Sequence, residues 1–208
     1  MHMPCAALAF ASLAALAAAT PAAAAVITSL PGGTVLAQPE VNYVGVGPQT
    51  AAPGITWSSS VSNSVFGVTG GYGLSANGAW NGPAAYIGLN TQFGTMTYSF
   101  ATPVAGVGGF LNYSSGTGTA TIAAYDATST LIESHTLSIA TPAETNGGAF
   151  FGFLEPTASI AYFTLSDAYV VMRDLTVLAE APQDMPEPAS AALSLLGLVA
   201  LAAIRRRG

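Results

Sequence analysis

Residues 95–100 read Thr95-Met96-Thr97-Tyr98-Ser99-Phe100, and this hexapeptide, TMTYSF, decides the fold. Met96, Tyr98 and Phe100 fall on one side of an extended chain and Thr95, Thr97 and Ser99 on the other. That period-two alternation is the signature of an antiparallel strand with one face in a core and one toward water. Working outward, TATIAAY (119–125) alternates more weakly, and SIAYFTL (159–165) is apolar on both faces, which predicts a central strand. VNYVGV (41–46), AYIGL (85–89), VAGVGGFLN (104–112), LIESHTLSI (131–139) and RDLTVL (173–178) are further candidate strands. GPQTAAPG (47–54), SANGAWNGP (75–83), NYSSGTG (112–118), DATST (126–130) and TPAETNGG (141–148) carry turn and loop chemistry. About ten short strands with no helix among them predict an all-β fold, an antiparallel β-sandwich closed by Greek-key or jelly-roll connections.

The two ends of the chain read differently. An apolar run from Ala6 to Ala19 leads into the small residues Ala22 to Ala25, the pattern of a secretory signal peptide cut by signal peptidase near Ala25. Cys5, the one cysteine of the sequence, leaves with that segment, so the exported chain is held by its core and has no thiol chemistry. At the other end, Ala189 to Ile204 is apolar except for Ser190 and Ser194, and Arg205, Arg206 and Arg207 follow it directly. As a helix this run spans roughly 24 Å at about 1.5 Å per residue, a marginal membrane crossing. The arginines act as a stop-transfer anchor because basic residues stay on the cytoplasmic side.

Subtracting these ends isolates the charge of the exported part. Ten acidic residues less Glu187 and four arginines less three leave nine acids against Arg173, a net charge of −8. That sign makes nucleic acid and anionic membrane surfaces poor partners. Val41 to Tyr125 holds no charged residue, so Ser, Thr, Asn, Gln and backbone groups must wet this part of the surface.

Glu133 and His135 are the best candidates for acid–base chemistry, since residues i and i+2 of a strand share a side. That side also carries Leu131, Leu137 and Ile139, so the pattern conflicts with itself unless the strand has a bulge or only its ends are covered. Paired carboxylates for glycoside hydrolysis would have to come from Asp126, Glu144, Glu155, Asp167 or Asp174, all next to turns or strand ends. Asp167 and Asp174 with backbone carbonyls are the candidates for a structural calcium; no other cofactor is expected. A multi-histidine metal site is excluded, because His135 is the one histidine outside the signal segment. Trp57, Tyr72, Trp80 and Tyr86 lie in the uncharged half, where exposed aromatics would stack on sugar rings and buried ones would pack a core. The glycines Gly45/Gly47 and Gly106/Gly108/Gly109 match no phosphate loop and read as turns or bulges. Asn112-Tyr113-Ser114 has the spacing of a glycosylation acceptor, a chance match in a serine-rich chain.

The terminal segment resembles the PEP-CTERM sorting signal of Gram-negative bacteria: Pro186-Glu187-Pro188, a short apolar helix, then an arginine cluster. The resemblance implies that Pro186, Glu187 and Pro188 are read by an exosortase in the inner membrane, which removes the tail and delivers the protein to the cell surface or extracellular matrix. More loosely, Tyr98 to Leu178 is similar to the jelly-roll, galactose-binding-like ectodomains of that family. Where those domains carry two adjacent acids this chain has Arg173-Asp174, one carboxylate fewer and one cation more. The expected organisation is a signal peptide over 1–25, a β-sandwich over 26–182 and a sorting segment over 183–208. A non-enzymatic surface or matrix protein, associated with extracellular polysaccharide, is the leading expectation. The alternatives are a secreted hydrolase acting on that polysaccharide and a single-pass anchored protein whose tail is never cut.

Overall fold

The computed structural model describes residues 25–180. The expected signal helix, the membrane helix, Pro186-Glu187-Pro188 and Arg205, Arg206 and Arg207 lie outside them. In chain order the strands are β1 (Ala25–Ile27), β2 (Thr34–Val35), β3 (Tyr43–Val44), β4 (Gln49–Ala52), β5 (Ile55–Ser59), β6 (Val65–Val68), β7 (Tyr72–Gly73), β8 (Ala79–Trp80), β9 (Tyr86–Gly88), β10 (Thr95–Val104), β11 (Gly106–Asn112), β12 (Thr121–Tyr125), β13 (Leu131–Thr136), β14 (Ala149–Leu154), β15 (Ile160–Ser166) and β16 (Val171–Leu178). One sheet runs β1-β14-β11-β16-β9-β6-β3 with β2 also on β16; the other runs β13-β12-β15-β10-β5-β4; β7 and β8 form a separate hairpin. All these strand pairs are antiparallel.

The alternation in TMTYSF is what closes the two sheets on each other. Met96, Tyr98 and Phe100 are buried, and Tyr98 pairs with Trp57 of β5 on one side and Phe163 of β15 on the other. These three side chains face Phe66, Ile87, Val107, Leu111, Phe153, Met172 and Leu175 of the opposite sheet in one core. Each large side chain withdrawn from water in this way contributes roughly 1.5–3 kcal/mol. The Tyr98 hydroxyl donates to Gln38 Oε1 at 3.0 Å, and burial pushes its pKa far above the ordinary phenol value. A second cluster, Tyr72, Leu74, Trp80, Tyr86 and Val171, packs where the β7–β8 hairpin covers the outer face of the first sheet. The alternation of β16 separates the two, with Met172 in the main core and Val171 in the second.

Several expectations change. The described residues hold sixteen strands rather than about ten, six of them two or three residues long. GPQTAAPG is not all turn, because Gln49–Ala52 pairs with β5, and SANGAWNGP contains β8. SIAYFTL is central, between β12 and β10, but only one of its faces is fully covered: Ala161, Phe163 and Leu165 are buried while Tyr162 and Thr164 are half-buried. The glycines at 106, 108 and 109 lie inside β11 rather than at its turns, and the bulge lies opposite Gly109 in β16, at Asp174 and Leu175. A Cβ on Gly108 would meet the Phe150 ring at 2.7 Å, and one on Gly109 would meet Met172 Sδ at 2.6 Å, so glycine lets β11 fit between its neighbours.

Candidate functional site

The sequence has no lysine, and two places among the described residues bring charged side chains into partly buried surroundings. The first is the lateral edge of the sandwich, where β13 ends one sheet and β14 and β1 end the other. In the β12–β13 ladder Ala124 faces Glu133 but Tyr125 faces Leu131, so Ile132 is an inserted residue. The bulge takes only Leu131 off that side, leaving it 51 % exposed; Glu133 and His135 still share their side with Leu137 and Ile139, which reach the core. Glu133 and His135 are half-buried, and the His135 ring stacks on Phe151 of β14 at 5.4 Å between centroids.

Along β14 the same period of two carries Phe151, Phe153 and then Glu155 inward. Glu155 is thereby placed near enough to Glu133 to feel its charge. Burial raises the pKa of both carboxyls; the negative charge of Glu133 raises Glu155 further, and His135 partly offsets the rise at Glu133. Oε2 of Glu133 and Oε1 of Glu155 are shielded from water and accept no hydrogen bond. The pairing of Glu133 with Glu155 was not foreseen from sequence, although Phe151-x-Phe153-x-Glu155 carries the signal.

The second place is the outer face of the first sheet. The Arg173 guanidinium stands 4.7 Å from the Phe110 ring centroid and 5.3 Å from that of Trp80, a cation–π arrangement. Its Nε lies 3.5 Å from Asp174 Oδ2, a loose ion pair. Trp80 Nε1 donates to the Gly147 carbonyl at 2.7 Å, and Asn81 and Asn146 exchange two hydrogen bonds beside it. Trp80, Tyr86, Asn81, Asn146 and Arg173 line a recess of about 40 Å³, room for a water or one carboxylate group.

The other candidates are used structurally. Trp57 is in the main core, and Tyr72, Trp80 and Tyr86 are in the second cluster, so none of the four offers an open ring face for sugar stacking. Asp126 Oδ1 accepts from Thr128 N, Thr128 Oγ1 and Thr130 N within 2.7–2.9 Å, which fixes the β12–β13 turn and lowers its pKa. Asp167 Oδ1 accepts from Gly94 N at 3.0 Å, and Asp174 stands at the β16 bulge, so neither is held in a shared ligand set. Among the described residues no group of three His, Cys, Asp or Glu side chains is placed to hold a metal ion. Glu144 is exposed in a loop, and Asn112 is fully buried and therefore closed to glycosylation. Two larger grooves, of about 320 and 310 Å³, share Gly54, Ile55, Phe100 and Ala101, and Glu180 is the one carboxylate in their lining. No family model matches the chain, and none of the curated proteins matches it.

Proposed function

We propose that this chain is an exported, non-enzymatic protein of the cell surface or extracellular matrix of a Gram-negative bacterium. Signal peptidase removes residues 1–25, the apolar run before the arginine cluster holds the chain transiently in the inner membrane, and an exosortase reads Pro186, Glu187 and Pro188. The observation that carries the reading is the order of elements in the tail: tripeptide, apolar run, then Arg205, Arg206 and Arg207, three of the four arginines in the sequence. Prolines on both sides of Glu187 keep the tripeptide out of the following helix and extended. The sandwich, jelly-roll-like and similar to galactose-binding modules, is the cargo. Association with polysaccharide falls to Arg173 and its recess, which suits a carboxylate-bearing glycan better than a neutral one.

Replacing Pro186, Glu187 and Pro188 with alanine should leave export intact but trap the full-length chain in the inner membrane, seen with a C-terminal tag. A variant that reaches the cell surface at wild-type mass would remove the sorting reading.

The hydrolase alternative gains one observation, the meeting of Glu133 with Glu155 beside His135. Its weakness is that the two unpartnered oxygens are sealed from solvent rather than open to a substrate cleft. Turnover of extracellular polysaccharide by wild-type protein, abolished in Glu133→Gln and Glu155→Gln, would establish it against the non-enzymatic reading.

A further inference from the structure

Two carboxylates turned inward without a hydrogen-bond donor are costly unless a cation answers them. Glu155 is only 7 % exposed, and Oε1 of Glu155 and Oε2 of Glu133 have no donor. Few cations are at hand. The sequence has no lysine, and Arg173 is engaged with Phe110, Trp80 and Asp174. His135 stacks on Phe151 and leaves both shielded oxygens without a donor.

The strand that completes this edge is β1. Ala25 pairs with Leu154 and Val26 with Phe153, and Val26 packs against the same core as Phe153. Strand geometry, about 4.8 Å between strands and 3.3 Å per residue, places the Val26 nitrogen roughly 7 Å from the Glu155 backbone, a gap a glutamate side chain spans. In the uncut chain that nitrogen is a neutral amide. Hydrolysis of the Ala25–Val26 bond adds one water, leaving a carboxylate on Ala25 and an ammonium on Val26.

We infer that the α-ammonium created at Val26 by signal-peptide removal is the cation that Glu155 and Glu133 receive, so that processing itself completes the edge of the fold. The groups around it are Glu133 and His135 from β13 and Glu155, the residue directly after β14; β1 adds no charged side chain of its own. The inference rests on the reading of residues 1–25 as a signal peptide.

The lysine-free sequence makes the test clean, because the α-amine is then the one primary amine in the exported protein. Exported protein is purified, its N-terminus is fixed by intact mass, and its labelling by an amine-reactive reagent is followed against pH. The expected result is a chain starting at Val26 whose amine titrates at least about one unit above the ordinary 7.7–8.0. Labelling near neutral pH then runs about tenfold slower than in the same protein unfolded in guanidinium, a reference that needs no variant. Glu155→Gln should return the amine to its ordinary value and Glu155→Asp should hold part of the shift. A chain starting at Val26 whose amine labels equally fast folded and unfolded overturns the inference and leaves the signal reading standing. An exported chain cut elsewhere near Ala25, with the Ala25–Val26 bond intact, overturns the inference and leaves the signal reading standing; an exported chain that keeps Met1 overturns both.

Discussion

Asn77 donates from Nδ2 to Oδ1 of Asn112 at 3.1 Å, and both side chains are buried. Around this bond the loops converge: Asn77 Nδ2 also donates to the carbonyls of Tyr113 and Ile139, while Asn112 Nδ2 donates to Thr141 Oγ1 and the Gly147 carbonyl. Thr141 Oγ1 closes the circuit by donating to the Asn77 carbonyl at 3.0 Å. Asn77→Ala would strand several of these groups without water, at a cost of about 3 kcal/mol. Thermal unfolding should show the midpoint lowered by roughly 10 °C. A loss below about 1 kcal/mol would mean that the network tolerates solvent.

Gly78 sits in the same loop cluster at φ +85°, and a Cβ there would run into the Glu144 carbonyl. Gly70 has a similar φ of +96° but nothing near it. Gly70→Ala therefore carries the left-handed backbone cost of roughly 1–2 kcal/mol and little else. Gly78→Ala carries that cost plus a backbone shift, and urea midpoints should rank it clearly below Gly70→Ala. Equal midpoints would show that the Glu144 loop moves aside easily.

Glu133 and Glu155 make stability depend on pH in a definite direction. Their folded pKa values are raised by burial, so above about pH 4.3 the unfolded chain gives up protons that the folded chain still holds. Their contribution is therefore fully present below that pH and is lost as pH rises through the raised folded values. Asp126 acts oppositely: its lowered pKa adds stability above about pH 3.9 that is lost on further acidification. Urea unfolding of a chain with the Ala25–Val26 bond intact should show stability falling from pH 4.5 toward neutrality. Glu133→Gln with Glu155→Gln should flatten that fall, and an amine at Val26 should diminish it. A curve unchanged by the double substitution would place the pH dependence elsewhere.

Arg173 is held by two rings and one exposed acid, and its side chain is 23 % accessible. Arg173→Ala is expected to cost about 1–2 kcal/mol through the lost cation–π contacts and stem packing. Arg173→Lys should recover little of this, because an ammonium lacks the planar stacking surface. If the recess engages a carboxylate-bearing glycan, both substitutions should also abolish binding to acidic polysaccharide, measured at low salt, while binding to neutral polysaccharide stays as it was.

The strands that alternate strongly were legible in the sequence, since β10 needs no context to declare which face is buried. Before Gly82 only VNYVGV was read as a strand, where Tyr43–Val44 does pair; Thr34–Val35, Tyr72–Gly73 and Ala79–Trp80 are too short for a period to show. The aromatic residues of that region were legible by type but not by place. Trp80 and Tyr86 become buried only when the β7–β8 hairpin lies over the sheet. For the edge site, sequence pointed to Glu133 and His135 and named Glu155 only as one of five scattered carboxylates, because its approach to Glu133 depends on two sheets meeting.

The pairing of the first strands with the last has a consequence for timing. Ala25 finds its partner in Leu154 and Thr34 in Val177, nearly the whole domain apart. A chain crossing a membrane from its N-terminus therefore emerges with β1 and β2 unpartnered, and they stay so until β14 and β16 have followed. Such long-range closure is slow and cannot be completed on a partial chain. If the chain is exported, this topology defers closure of the first sheet until its last strand has arrived.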